Sequence, residues 1–132
     1  MKPVRWGILS VSSHFRLRVS NPVRESGLVE LWAIASRDRR RAEEAAGQWG
    51  FNKAYGSYEG LLKDPEVEAV FIPLPNHMHV EWVKKAADCG KHILCEKPFS
   101  LTAADTREAI AYARSKGVLV MEAFMYKLHP QW

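Results

Sequence analysis

Four short segments of this 132-residue chain hold side chains whose chemistry exceeds what packing requires. Ser10, Ser12 and Ser13 bring three hydroxyls together beside the imidazole of His14, directly after an apolar run from Val4 to Leu9. Ser36 and Arg37 follow a second apolar run, Val29 to Ala35. Pro73, Asn76 and His77 follow a third, and Glu96, Lys97 and Pro98 follow a fourth, His92 to Cys95. Hydroxyls at a helix start donate to phosphate oxygens, and the helix N-terminus itself favours an anion. An arginine fork grips phosphate through charge-assisted hydrogen bonds. A lysine beside a bound alcohol hydrogen-bonds its hydroxyl and steadies the alkoxide that forms as hydride leaves. These are the ingredients of dinucleotide binding and hydride transfer, provided the fold brings them to one place.

The pattern of elements predicts that it does. Short apolar runs alternate with amphipathic helical stretches. Val4–Leu9, Val29–Ala35, Lys53–Tyr55, Val67–Pro73, His92–Cys95 and Val118–Ala123 are the expected strands. Helices are expected from His14 to Glu25 with a bend at Pro22, from Asp38 to Trp49, from Ser57 to Lys63, from Asn76 to Cys89 and from Thr102 to Gly117. In the second of these, Ala42, Ala45, Ala46 and Trp49 recur at helical spacing. Asp38, Asn76 and Thr102 are the expected N-caps, Asp105 completes a capping-box-like pair with Thr102, and Gly50, Gly90 and Gly117 are stops. Strand-then-helix repetition forces parallel strands joined by right-handed crossovers. The expected fold is therefore a doubly wound α/β sheet, of order 3-2-1-4-5-6, with helices on both faces, in one domain spanning residues 1–132. In such a sheet ligands lie beyond the carboxyl ends of the strands, where strand order reverses. Every segment named above falls at such an end.

The first turn departs from the usual dinucleotide fingerprint, G-x-G-x-x-G/A. Here it is Ser10-Val11-Ser12-Ser13-His14-Phe15, with no glycine at any of the three positions. Two outcomes stand open. The serine hydroxyls replace lost backbone contacts to the diphosphate, or the side chains crowd it out, Phe15 most of all. At the end of the second strand, an acid in place of Ser36 would hold the 2′-hydroxyl of NAD, whereas Ser36-Arg37 suits the extra phosphate of NADP. NADP is the expected cofactor, NAD the less favoured one. Alternatively, Arg37 merely opens a solvated basic run with Arg39, Arg40 and Arg41.

Three later segments carry a specific resemblance: Ile72-Pro73-Leu74-Pro75-Asn76-His77-Met78-His79, Gly90-Lys91-His92-Ile93-Leu94-Cys95-Glu96-Lys97-Pro98 and Met121-Glu122-Ala123-Phe124-Met125-Tyr126-Lys127-Leu128-His129-Pro130. With Ala35-Ser36-Arg37-Asp38 and Tyr55-Gly56-Ser57-Tyr58-Glu59, they make the chain resemble the Gfo/Idh/MocA oxidoreductases, in the dihydrodiol and xylose dehydrogenase branch. The resemblance implies that Lys97 is catalytic, that its peptide bond to Pro98 is cis, and that Asn76 and His77 face the ribose or nicotinamide side. It implies an NADP-linked transfer of hydride to or from a sugar or diol hydroxyl. Glu96 is expected to organise its loop or to accept from a ribose hydroxyl. Tyr126, Lys127 and His129 are expected at the substrate mouth, with Lys127 where many relatives have arginine. The resemblance also implies a second, C-terminal α/β domain with a histidine–aspartate pair, most of the substrate pocket and the dimer surface. That domain is absent from these residues. The expected chain is thus a truncated cofactor-binding half, inactive alone, or else a non-catalytic module that binds nucleotide weakly or not at all.

Composition narrows the rest. A formal charge of +4 with scattered basic residues gives no nucleic-acid recognition motif. No stretch has transmembrane length, and the N-terminus lacks a signal-peptide layout, so a cytoplasmic protein is expected. Cys89 and Cys95 form no disulfide framework, and His77, His79 and His129 form no credible metal set. Phe124, Met125, Tyr126, Leu128 and Trp132 are expected to form an exposed apolar patch that favours a homodimer.

Overall fold

Parallel pairing runs through the whole sheet of the computed structural model, which describes residues 1–131. The strands are β1 (Val4–Leu9), β2 (Val29–Ala35), β3 (Lys53–Tyr55), β4 (Ala69–Ile72), β5 (His92–Cys95) and β6 (Val120–Glu122). Their order is β3-β2-β1-β4-β5-β6, as expected. The helices are α1 (Ser20–Glu25), α2 (Arg39–Trp49), α3 (Tyr58–Leu62), α4 (His79–Asp88) and α5 (Ala103–Ser115). The expected contribution of Trp132 lies outside the described residues.

Strand alternation divides the core between two faces. Leu9, Val70, Ile72, Ile93 and Cys95 pack with α3, α4 and α5 on one side. Ile8, Leu31, Ile34 and Phe71 pack with Phe15 and α2 on the other. β4 is buried at every residue, as a central parallel strand must be. Gly7 is required where α3 crosses β1, because a Cβ there would come within 2.5 Å of Leu61 Cδ2. β4 and β6 are shorter than their apolar runs suggest, since the flanking residues leave the ladder to form loops. The N-caps at Asp38, Ser57 and Thr102 form as residue type dictates, accepting from the amides of Arg41, Gly60 and Asp105. The Thr102 hydroxyl also donates to the Asp105 carboxylate at 2.7 Å.

A buried carboxylate organises the loop that leads into β4. Asp64 Oδ2 accepts from Tyr55 OH at 2.8 Å, Lys53 Nζ at 3.1 Å and Trp32 Nε1 at 3.2 Å. Burial alone would raise the Asp64 carboxyl, but these donors outweigh it and hold it below its ordinary value. Burial and the Asp64 carboxylate push the Tyr55 hydroxyl the other way, up to about 12.

Two expectations need correction. The first concerns the helix expected to bend at Pro22. The helical run over residues 13–25 is interrupted earlier, by a π-helical turn over Phe15–Val19. There the Ser20 amide reaches back to the Phe15 carbonyl, and the Ser20 hydroxyl donates to the Arg16 carbonyl at 2.9 Å. The wide turn makes room for the Phe15 ring, which drops to the sheet among Phe51, Phe71 and Trp49 at centroid distances of 6.0, 6.1 and 6.3 Å. Phe15 is fully buried, so it does not crowd the first turn. Its burial is worth about 2 kcal/mol of core stabilisation. The second correction concerns Asn76, which does not cap a helix with its side chain. Pro75 holds the N-cap position of a short 3-10 turn, Asn76–Met78, and α4 begins only at His79.

The first turn is held in an unusual conformation. Ser10 has φ of 141°, in the region that favours glycine. The turn therefore keeps a glycine-like backbone with a side chain in place. Such strain costs about 1–3 kcal/mol, against which glycine loses roughly 0.5–1 kcal/mol through unfolded-state entropy. Ser10→Gly should therefore stabilise the fold by about 1 kcal/mol, read as a higher urea midpoint. A lower midpoint would mean that the Ser10 side chain contributes more than its backbone costs.

Candidate functional site

All six strands point the same way, so the segments after β1, β2, β4, β5 and β6 emerge on one edge of the sheet. β1 lies between β2 and β4, and the reversal of strand order opens a crevice between the ends of β1 and β4. Ser10, Ser12, Ser13 and His14 stand on one side of it. Pro73, Asn76 and His77 follow β4, and Glu96 and Lys97 follow β5. Ser36 and Arg37 lie beyond β2.

Polar contacts tie these loops together. His14 Nε2 lies 3.0 Å from Glu96 Oε1, so the first turn touches the segment after β5, across the end of β4. The other Glu96 oxygen accepts from the Lys97 amide at 3.0 Å. Glu96 thus organises its own loop and reaches the first turn together. Lys97–Pro98 is cis, as the resemblance implied. Phe99 N donates to Glu122 Oε1 at 2.7 Å, which anchors the far side of the same loop to β6. Just before it, burial and the neighbouring Glu122 and Glu96 carboxylates push the Cys95 thiol up to about 12, which makes it an inert core group.

The first turn keeps the features an anion needs. Ser12 Oγ accepts from the Phe15 amide at 3.3 Å, so Ser12 caps the helical run and its O–H remains free to donate outward. Ser13 and His14 are exposed at the helix start. Phe15 lies beneath, in the core. With Ser10 in its glycine-like conformation, these residues fit a diphosphate on the helix N-terminus.

At the end of β2 the basic run resolves into separate roles. Arg39 and Arg40 pair with Glu43 and Glu44 one helical turn on, at 2.8 and 3.0 Å. Arg41 instead reaches the first turn, donating to the Val11 carbonyl at 3.3 Å. Arg37 is exposed and has no hydrogen bond or ion pair among the described residues. Ser36 is buried, and its Oγ accepts from the Asp38 amide at 3.2 Å. Sequence reasoning placed Arg41 with its solvated neighbours and missed it. The available signal was the Asp38 cap, which sets the first turn of α2 and returns Arg41 towards the first loop.

Lys97 is exposed, with its ammonium unpaired among the described residues. It lines a cleft of about 640 Å³ with Phe124, Met125, Tyr126, His129 and Gln131. Tyr126 and His129 therefore share one cleft with Lys97. Lys127 does not line this cleft: its ammonium sits 5.6 Å above the Phe124 ring. Two further residues, His79 and Glu122, went unassigned in the sequence, because their partners are backbone groups that no side-chain pattern reveals.

The similarities to known proteins agree with this geometry. A model of the Gfo/Idh/MocA oxidoreductase family, described as having an NAD-binding Rossmann fold, matches residues 5–124. D-xylose 1-dehydrogenase (NADP(+)) 2 of Haloferax volcanii is 52% identical over 101 residues, covering 76% of this chain and 31% of that protein. Trans-1,2-dihydrobenzene-1,2-diol dehydrogenase of Mus musculus is 43% identical over 131 residues, covering 96% of this chain and 38% of that protein. The structure of KijD10, a 3-ketoreductase from Actinomadura kijaniata in complex with NADP and TDP-benzene, superposes with a TM-score of 0.92 at 36% identity, over 98% of this chain and 39% of that one. The chain therefore spans well under half the length of these relatives. With its fold, its strand order and the match over residues 5–124, the chain belongs to the Gfo/Idh/MocA oxidoreductase family, of which it presents the NAD-binding Rossmann domain.

Proposed function

We propose that this domain binds NADP along the β1/β4 crevice and presents Lys97 to a sugar or diol hydroxyl, as the cofactor half of a hydride-transfer site. The reading rests on one observation above others. His14 of the first turn and Glu96, next to Lys97, are 3.0 Å apart, so the diphosphate turn and the lysine share one crevice. Ser12, Ser13 and His14 hold the diphosphate, and Ser10 shapes the turn beneath it. Ser36 and Arg37, with Arg41 behind them, take the 2′-phosphate. Pro73, Asn76, His77 and Glu96 line the ribose and nicotinamide side. Lys97 donates a hydrogen bond to the reacting oxygen and stabilises negative charge on it. The bound nicotinamide supplies the hydride acceptor or donor. Relatives named for NADP, xylose and a dihydrodiol support the cofactor and the substrate class.

A second reading keeps one observation on its side. Side chains occupy all three fingerprint glycine positions of the first turn, which favours a module with weak or no nucleotide binding. Calorimetry separates the two. NADP should bind below millimolar concentration, NAD should bind more weakly, and Arg37→Ala should weaken NADP by about tenfold to a hundredfold, the effect of one charge-assisted contact. No heat with either dinucleotide would overturn the first reading in favour of the second.

By itself the domain should bind without turning over. Hydride transfer requires a closed, positioned site, whereas the cleft beside Lys97 is open to solvent. Mixed with NADP and D-xylose, the chain should produce NADPH absorbance no faster than buffer, and a steady rate proportional to protein would refute this.

We also propose that the chain self-associates through its C-terminal segment. Met125 and Leu128 are 64% and 80% exposed there, and Met121 of the edge strand β6 is 53% exposed. Sedimentation velocity should show a dimer that grows with concentration and is lost in Leu128→Asp. A single monomer boundary at every concentration would end the proposal.

A further inference from the structure

His79 is the first residue of α4, fully buried, and has no place in the roles assigned above. Its ring stands between two loops. Nε2 lies 2.7 Å from the Leu74 carbonyl oxygen, in the loop after β4, and Nδ1 lies 2.9 Å from the Pro98 carbonyl oxygen, in the loop after β5. Leu74 precedes Asn76 and His77 in one loop, and Pro98 directly follows Lys97 in the other. The last backbone bond between these strands runs from the Glu96 amide to the Ile72 carbonyl, at 3.1 Å. Beyond it the two segments separate. Among the described residues, His79 is the one side chain that reaches polar groups of both.

We infer that His79 is a positioning residue, whose ring bridges the β4 and β5 loops and fixes the spacing between Asn76–His77 and Lys97. A carbonyl oxygen only accepts, so each contact is a hydrogen bond only where the ring nitrogen carries hydrogen. Either tautomer gives one such bond, to one loop, and sets the other edge of the ring against the second loop. An apolar side chain of similar size would fill the space but leave both carbonyls unsatisfied. Histidine is suited to the place because its two nitrogens diverge from opposite sides of one rigid ring, towards two separate loops. The assigned role is mechanical: His79 touches neither cofactor nor substrate, and acts through the backbone that carries the groups that do.

The functional part of this inference rests on the proposed binding of NADP, but its test does not. In the ¹⁵N-labelled chain, a His79 ring N–H signal should persist, because the bonded ring hydrogen is shielded from solvent, and loss of that signal through fast exchange would overturn the clamp. His79→Gln keeps one donor amide and should stay folded by circular dichroism. In that variant the amides of Asn76, His77 and Lys97 should exchange with solvent about tenfold faster, while Ile34 and Val70 in the central strands keep their protection. Equal acceleration everywhere would show that His79 only supports the core, and unchanged loop exchange would show that it holds neither loop. Either result overturns the inference. If the variant does not fold, the nitrogen spectrum of the unmodified chain still decides. Where the unmodified chain binds NADP, His79→Gln should weaken it by about tenfold, and unchanged affinity would refute the positioning role. Where it does not bind, the proposed function fails, and the exchange data alone judge the clamp.

Discussion

Parallel pairing is the constraint on which the rest depends. Because every strand enters the sheet from the same end, every strand releases its chain at the opposite edge. Ser12 and Glu96 are remote in sequence, yet their loops meet because β1 and β5 both flank β4 and leave it in the same direction. An antiparallel partner anywhere in this set would send one of the loops to the far edge. The crossover helices follow from the same constraint, since parallel strands cannot be joined by a tight turn. The helices in turn bury both faces of β4, and an all-apolar strand becomes tolerable only under that cover.

Within that frame, what the sequence revealed and what it hid divide along physical lines. Strand order, helix positions and caps were legible because they rest on local rules. Apolar alternation sets the strands, Asp38 and Thr102 satisfy free amides, and left-handed glycines such as Gly50 end helices. The clustering of Ser12, His14, Glu96 and Lys97 was legible because topology alone dictates it. Contacts made through backbone were not. His79 lies between two carbonyls, Glu122 bonds the Phe99 amide, and Arg41 bonds the Val11 carbonyl. Any residue presents a carbonyl, so nothing in the partner's identity announces such a bond. Asn76 was misjudged as a cap because its type suits one, whereas the preceding Pro75 takes the N-cap position and a 3-10 turn intervenes.

The first turn shows how one requirement can be met by different residues. A dinucleotide turn needs a sharp reversal, close approach of the ligand and a helix N-terminus aimed at the phosphates. Glycines usually supply the first two. Here Ser10 makes the reversal with its own backbone at φ of 141°, and Ser12 caps the helical run that follows. The third requirement usually comes from a small residue that lets helix and sheet touch. In this chain Phe15 fills that space, and the helix widens by a π turn to accommodate the ring. The helix then stands off the sheet, and an apolar hollow of about 180 Å³ remains beneath it, between Val19, Val23 and Leu94. The turn is thus reached by strain in one residue and by looser packing in its neighbours. Both are costs that glycines at those positions would not incur.

The end of β2 carries the corresponding argument for charge. Of the residues from Ser36 to Arg41, only Asp38 is acidic, and its carboxylate already accepts from the Arg41 amide at 3.3 Å as the cap of α2. Ser36 turns its oxygen to the Asp38 amide and is buried. The segment's one carboxylate caps α2 through Oδ1, and a serine stands at the Ser36 position, where a site that selects NAD has an acid for the ribose hydroxyl. Arg39 and Arg40 are neutralised by Glu43 and Glu44, but Arg37 is not. An uncompensated guanidinium at Arg37 attracts a phosphate and offers a ribose hydroxyl only donors. On the proposed reading, selection for a phosphorylated ribose lies in how the local charges pair with one another. A basic count over the same residues, four arginines against one aspartate, would not have shown which arginine remains available.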